Sequence, residues 1–165
     1  MLTYVAVSAL VALTLASSLD TVVPPRPRSV QGDACALLTL SEVNTAIEAT
    51  SEPGQHLVAS NTKQCMWTDA PSASLDHRRV VLTYSVPAAF DFGKKTSHPA
   101  AEAVSGVGDD AYYEFFGADA PALVVKKGGT VITIRLLNGL KAKALDMSTL
   151  KARELVLAKA AAAKA

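Results

Sequence analysis

The sequence predicts an α+β domain: a mainly antiparallel sheet with N- and C-terminal helices packed on one side. Three observations carry that reading. A capped amphipathic stretch opens near Thr39, several apolar runs of period two follow, and a Lys-Gly-Gly turn joins two such runs ahead of a last helical segment. The βαβ alternation of a parallel sheet is missing, as is any internal repeat.

Each element has a local cause. In Leu38-Thr39-Leu40-Ser41-Glu42-Val43, Thr39 caps a helix while Glu42 reaches back, and Leu38 and Val43 stand at the staple positions. Leu40, Val43, Ala46 and Ile47 share one helical face, which fades near Ala49 before a turn over 51–54. Short strands are expected over 56–60 and 64–68, the second with Cys65 and Trp67 on one face. A stronger strand over 79–86 aligns Val80, Leu82, Tyr84 and Val86. Pro87 stops it and opens a short helix through Phe90 and Phe92, and 94–100 reads as an exposed loop. Gly106-Val107-Gly108-Asp109-Asp110 turns the chain into a strand over 111–116, and 117–120 turns it again. Strands over 122–126 and 130–137 flank Lys127-Gly128-Gly129 as a hairpin, with Ile132, Ile134 and Leu136 on one face. Asp146 or Ser148 caps a last helix from about Thr149, whose tail has high helix propensity but little to bury.

Composition bounds the class. With 165 residues, half of them apolar and 19% charged, the chain is one domain plus extensions. Aromatics make up only 5%, so Val, Leu, Ile and Ala must build most of the core. A net charge of +1 excludes a dedicated nucleic-acid binder, which carries a basic excess. Leu2 to Leu19 is uncharged, and Ala16 and Ser18 stand two apart as a signal peptidase requires. Residues 1–18 are therefore expected to be a signal peptide, with a retained membrane anchor or a buried helix as alternatives. No Lys or Arg precedes the apolar run. Residues 19–33 read as a Pro-rich linker, 34–157 as a single α+β domain, and 158–165 as an Ala/Lys-rich helical tail.

Cys35 and Cys65 are the two cysteines, and in an exported domain they most simply form one bridge; two buried thiols are the alternative. No CxxC pair supports a metal site, and His56, His77 and His98 are scattered. Gly106-x-Gly108 precedes a strand rather than a helix, so it is turn chemistry and not a dinucleotide loop. Asp109 and Asp110 are expected to cap backbone amides, with metal or acid–base work as the lesser reading. Trp67 is expected against the bridge, with ligand stacking as its other role. Tyr112, Tyr113, Phe115 and Phe116 crowd one strand, so one pair enters the core and the other is free to line a groove. That strand, with Trp67, is the candidate binding surface. Lys141, Lys143, Lys151, Arg153, Lys159 and Lys164 form a solvated face or a contact for anionic lipid or polymer.

Cys35-Ala36-Leu37-Leu38-Thr39 with Glu42-Val43, then Cys65-Met66-Trp67, then Gly106-Val107-Gly108-Asp109-Asp110-Ala111 occur in that order over 33–157. In this the chain resembles a group of bacterial envelope proteins, many of them actinobacterial lipoproteins, that share a domain without an assigned activity. The resemblance implies a pairing of the two cysteines and implies no reaction or catalytic residue. The lipid-attachment cysteine of that group is absent here. The expected role is an exported cell-envelope binding or accessory domain, secreted, periplasmic or envelope-associated and without a cofactor. Its partner would be a small molecule, an envelope polymer or a protein, and its N-terminal segment would keep it near a membrane. The alternatives are a hydrolase or transferase acting on an envelope polymer, with Asp109, Asp110 and His77 as its candidates, and an interaction protein using the basic C-terminal helix.

Overall fold

A computed structural model describes residues 32–69, 75–117 and 120–165, so the expectations for the signal peptide and for linker residues 19–31 lie outside it. The chain begins with a 3-10 turn at Ala34–Ala36, then α1 (Leu40–Ile47), β1 (Gln55–His56), β2 (Gln64–Thr68) and β3 (Arg79–Ser85). There follow α2 (Pro87–Thr96), β4 (Glu102–Val104), β5 (Asp110–Phe115), β6 (Pro121–Lys127), β7 (Thr130–Leu137) and α3 (Met147–Ala162). The strands form one seven-stranded sheet in the order β1-β2-β3-β7-β6-β5-β4, antiparallel throughout. The predicted α+β class holds, with α1 and α3 together on one face and α2 on the other.

The α1 start is the predicted capping box: Thr39 Oγ1 accepts from Glu42 N at 3.3 Å, and Glu42 Oε2 accepts from Thr39 N at 2.7 Å. Two arginines satisfy its last carbonyls, Arg153 donating to Ala46 O and Arg78 to Ile47 O, both at 2.8 Å. Cations at a helix C-terminus also suit the backbone dipole there. Asp146 caps α3 by accepting from Thr149 N at 2.9 Å. Its carboxyl is held far below the usual carboxylate range, chiefly by the Ser148 hydroxyl and then by Thr149.

Alternation sets the core. Cys65, Trp67, Val80, Leu82, Tyr113, Leu123, Val125, Ile132, Ile134 and Leu136 face α1 and α3, where Val43, Ile47, Leu150 and Leu157 meet them. On the opposite face Phe90 of α2 packs on Tyr112, Val124 and Val131. Gly108 has φ +61, and a Cβ there would come within 2.5 Å of Lys126 O, so the turn into β5 needs glycine on both counts.

Five expectations are corrected. The strand expected over 56–60 is reduced to Gln55–His56, because Leu57 and Val58 face solvent and have no core to pair with. Val86 does not continue the buried face of β3; it is the α2 N-cap and is exposed. The loop expected over 94–100 begins later, since α2 runs to Thr96, and Glu102–Val104 is an unanticipated edge strand. Asp33 is not linker, because its carboxylate accepts from Cys35 N at 2.9 Å and caps the first turn. The tail is not idle: Ala158, Ala161 and Ala162 are buried, their small side chains letting α3 lie close against α1 and the sheet.

Candidate functional site

The expected bridge is present: Cys35 and Cys65 are disulfide-bonded. Joining residues 30 apart in sequence, it stabilises the fold by about 3–4 kcal/mol in the chain-entropy account. A Cβ on Gly54 would stand 2.6 Å from Trp67 ring atoms and 2.7 Å from Cys65 Sγ, so ring and bridge pack together on this glycine backbone. Only glycine fits.

Polar side chains gather around the bridge. His56 sits directly opposite Cys65 in the β1–β2 register. Its Nε2 lies 2.9 Å from Asp33 Oδ1. That contact is the main cause holding the Asp33 carboxyl below its usual range, with the Cys35 amide adding to it against desolvation. Ala34 N donates to Thr62 O at 2.8 Å and Tyr84 N donates to Lys63 O at 2.8 Å, which ties the chain entry and the start of β2 to the end of β3.

Beside this cluster opens a cleft of about 300 Å³ lined by Gly32, Lys63, Tyr84, Ser85, Val86, Gly129 and Thr130. The β3–β7 register brings it about, because Tyr84 pairs with Ile132 and Ser85 with Val131, next to the hairpin tip. Tyr84 contributes a half-buried ring whose hydroxyl is pushed above its usual pKa by burial and then by the Asp33 carboxylate. Lys63 contributes an exposed ammonium at the rim. Such a cleft offers an apolar wall, a phenol donor and one cation, the make-up of a small-molecule site.

The sequence-predicted surface lies elsewhere and is mostly core. Trp67, Tyr112 and Tyr113 are 2%, 1% and 4% exposed, so they cannot form a binding surface. Both faces of β5 are covered. Tyr113 donates its hydroxyl to Lys151 O of α3 at 2.6 Å, and Tyr112 meets Phe90 of α2 edge-on with ring centroids 5.0 Å apart. Burial, with Glu154 and Glu102 adding to it, raises the Tyr113 pKa, and burial followed by Glu114 raises that of Tyr112 to about 12. Phe115 is half-buried beside the core, and Phe116 is exposed with the Arg135 guanidinium 4.2 Å from its ring centre.

The two aspartates divide: Asp109 makes the expected contact to a backbone amide, whereas Asp110 pairs with a lysine side chain instead. Asp109 Oδ2 accepts from Gly128 N at 2.6 Å, and this bond, with Lys127, holds its pKa low. Asp110 pairs with Lys94 at 2.7 Å. His77 Nδ1 lies 3.1 Å from Asp69. It precedes Arg79, which pairs with Leu137, while Asp110 pairs with Lys126 and that with Val131. The aspartates and His77 thus sit at opposite ends of the sheet, roughly 20 Å apart at strand rise. They do not form one site. Of the basic residues, Lys151 pairs with Glu102, Arg153 with Glu48, Lys164 with Glu42 and Lys141 with Asp76. Lys143 and Lys159 are exposed.

Glu154 gave no signal in the sequence. It is wholly buried, and its Oε1 accepts from Leu136 N at 2.8 Å, two residues past the last β6–β7 pair. Among the described residues its Oε2 has no partner. Burial pushes its pKa up to about 8, against the Leu136 amide, Arg135 and Lys151.

Among the described residues no helix is long and apolar enough to cross a membrane. Comparison with family models, curated proteins and solved structures finds no match to this chain.

Proposed function

We propose that this chain is an exported, non-enzymatic binding domain of a cell envelope, and that it holds a small amphipathic ligand in the cleft at Tyr84. The ligand's flat apolar part lies on the Tyr84 ring and its anionic group faces Lys63. The observation that carries this reading is the cleft itself, about 300 Å³ in volume with apolar and polar groups converging on it. Export is supported by the bridge, which persists in a non-reducing compartment. The uncharged run from Leu2 to Leu19 and the prolines that follow support it further.

Amide chemical shifts of labelled protein, recorded against a panel of small aromatic carboxylates, test the reading. Shifts should concentrate at Lys63, Tyr84, Ser85, Gly129 and Thr130 and vanish in Tyr84→Ala. Shifts clustered on β5 or on α3 would contradict it.

A further inference from the structure

The geometry points to a second use of the bridge end: once the disulfide opens, Asp33, Cys35, His56 and Cys65 form a site for a thiophilic divalent cation such as zinc. This inference is independent of the cleft. A carboxylate oxygen of Asp33, Cys35 Sγ and a ring nitrogen of His56 already lie within 4.8 Å of one another. The fold fixes each for its own reason. Asp33 caps the first turn, and His56 is the direct cross-strand partner of Cys65. Directly opposed residues project from the same sheet face with their Cβ atoms about 5 Å apart, and Cys65 Sγ is bonded to Cys35 Sγ, so the thiol freed on Cys65 stands beside this triad. The His56 and Asp33 side chains are 26% and 45% exposed, which leaves a cation a path inward.

While the bridge is closed, both sulfurs are bound to each other and only one nitrogen and the carboxylate remain as donors. A zinc site needs four tetrahedral ligands, at least three of them from the protein. A dithiol reductant delivers two electrons and two protons to the bridge, giving a thiol on Cys35 and another on Cys65 and leaving itself oxidised to a disulfide. Zinc then displaces both thiol protons and takes two thiolates, the neutral His56 imidazole and the Asp33 carboxylate. Metal–sulfur bonds of about 2.3 Å and metal–nitrogen or metal–oxygen bonds of about 2.0–2.2 Å set tetrahedral donors about 3.3–3.8 Å apart, so the 2.9 Å contact between Asp33 and His56 opens slightly and the two sulfurs part. The chain entry is thus held by the Cys35–Cys65 bond when oxidised and by all four residues through a metal when reduced.

Full-length chain, folded with its bridge closed, is reduced with a dithiol, desalted under argon and titrated with zinc against a chromogenic chelator, then with cobalt as a spectroscopic probe. The reduced protein should bind one metal per chain and give the thiolate-to-cobalt charge-transfer band, whereas the oxidised protein binds none. His56→Ala keeps both cysteines, folds with the bridge closed, and should lose at least about tenfold in zinc affinity after reduction. His98→Ala should be unchanged. Where reduction loosens the fold, as read by Trp67 fluorescence and circular dichroism, zinc should restore it. Equal binding by oxidised and reduced protein, one metal per two chains, unchanged affinity in His56→Ala, or a reduced chain that zinc neither binds nor restores would each overturn the site.

Discussion

Strand β5 and the bridge end make an instructive pair. Half of the chain's Tyr and Phe residues lie in 112–116, yet helices cover both faces of that strand and its tyrosines are core. At the bridge end the Trp67 ring is buried on the disulfide, but Asp33, His56, Lys63 and Tyr84 converge beside it around partly exposed space. Concentration of large side chains in one strand therefore marks two-sided packing here. The groups fit for recognition come together from separate elements, across gaps that no local spacing encodes.

The largest expected effect breaks the packed region. Tyr112→Ala removes a ring lodged between Phe90, Val124 and Val131, and should destabilise the domain by about 3–5 kcal/mol in chemical denaturation. If the loss were below about 1 kcal/mol, the two-sided packing of β5 would be wrong.

A smaller effect sharpens the picture on the α3 side. Glu154 has a folded pKa of about 8 against an ordinary value of 4.5. Between those values the folded chain binds a proton that the unfolded chain has lost, so stability falls as pH rises through this window and levels off above it. The fall should reach at most about 3.5 kcal/mol between pH 5 and 8, less where water relieves the burial. Glu154→Gln keeps an acceptor for the Leu136 amide and carries no charge, so its denaturation midpoint should be flat over the same range. An equally steep midpoint in the variant would remove Glu154 as the cause.

The smallest effect on stability belongs to the cleft. Lys63 is exposed, and Lys63→Glu should change stability by no more than about 0.5 kcal/mol. Its consequence should appear in binding instead, as the loss of an anionic ligand. A large stability change with unaltered binding would reverse the contrast between the two regions.

Much of the fold was legible because its causes are local. The Thr39–Glu42 box, the Asp146 cap, the Pro87 helix start and the Gly128-Gly129 hairpin each act within a few residues. Glu102–Val104 is not legible, because a short exposed edge strand carries no apolar alternation. The role of the C-terminal alanines is not legible, because propensity says nothing of close helix packing, which is what buries Ala158, Ala161 and Ala162. Of the bridge-end groups, only the cysteines announced themselves. Tyr84 reads as one more apolar position of β3, and Lys63, Gly129 and Thr130 reach the cleft through strand register alone. Asp33 looked like linker because its partners, Cys35 N and His56, are supplied by the folded turn and by β1.

The most direct test of the whole account is the mass of the intact, non-denatured protein taken from its native cell fraction, beside Lys63→Glu isolated in the same way. The wild-type chain should carry a noncovalent small molecule that the variant lacks, both with the bridge closed. A wild-type protein that is empty in every preparation, or a variant that retains the same added mass, would contradict a ligand cleft at Tyr84.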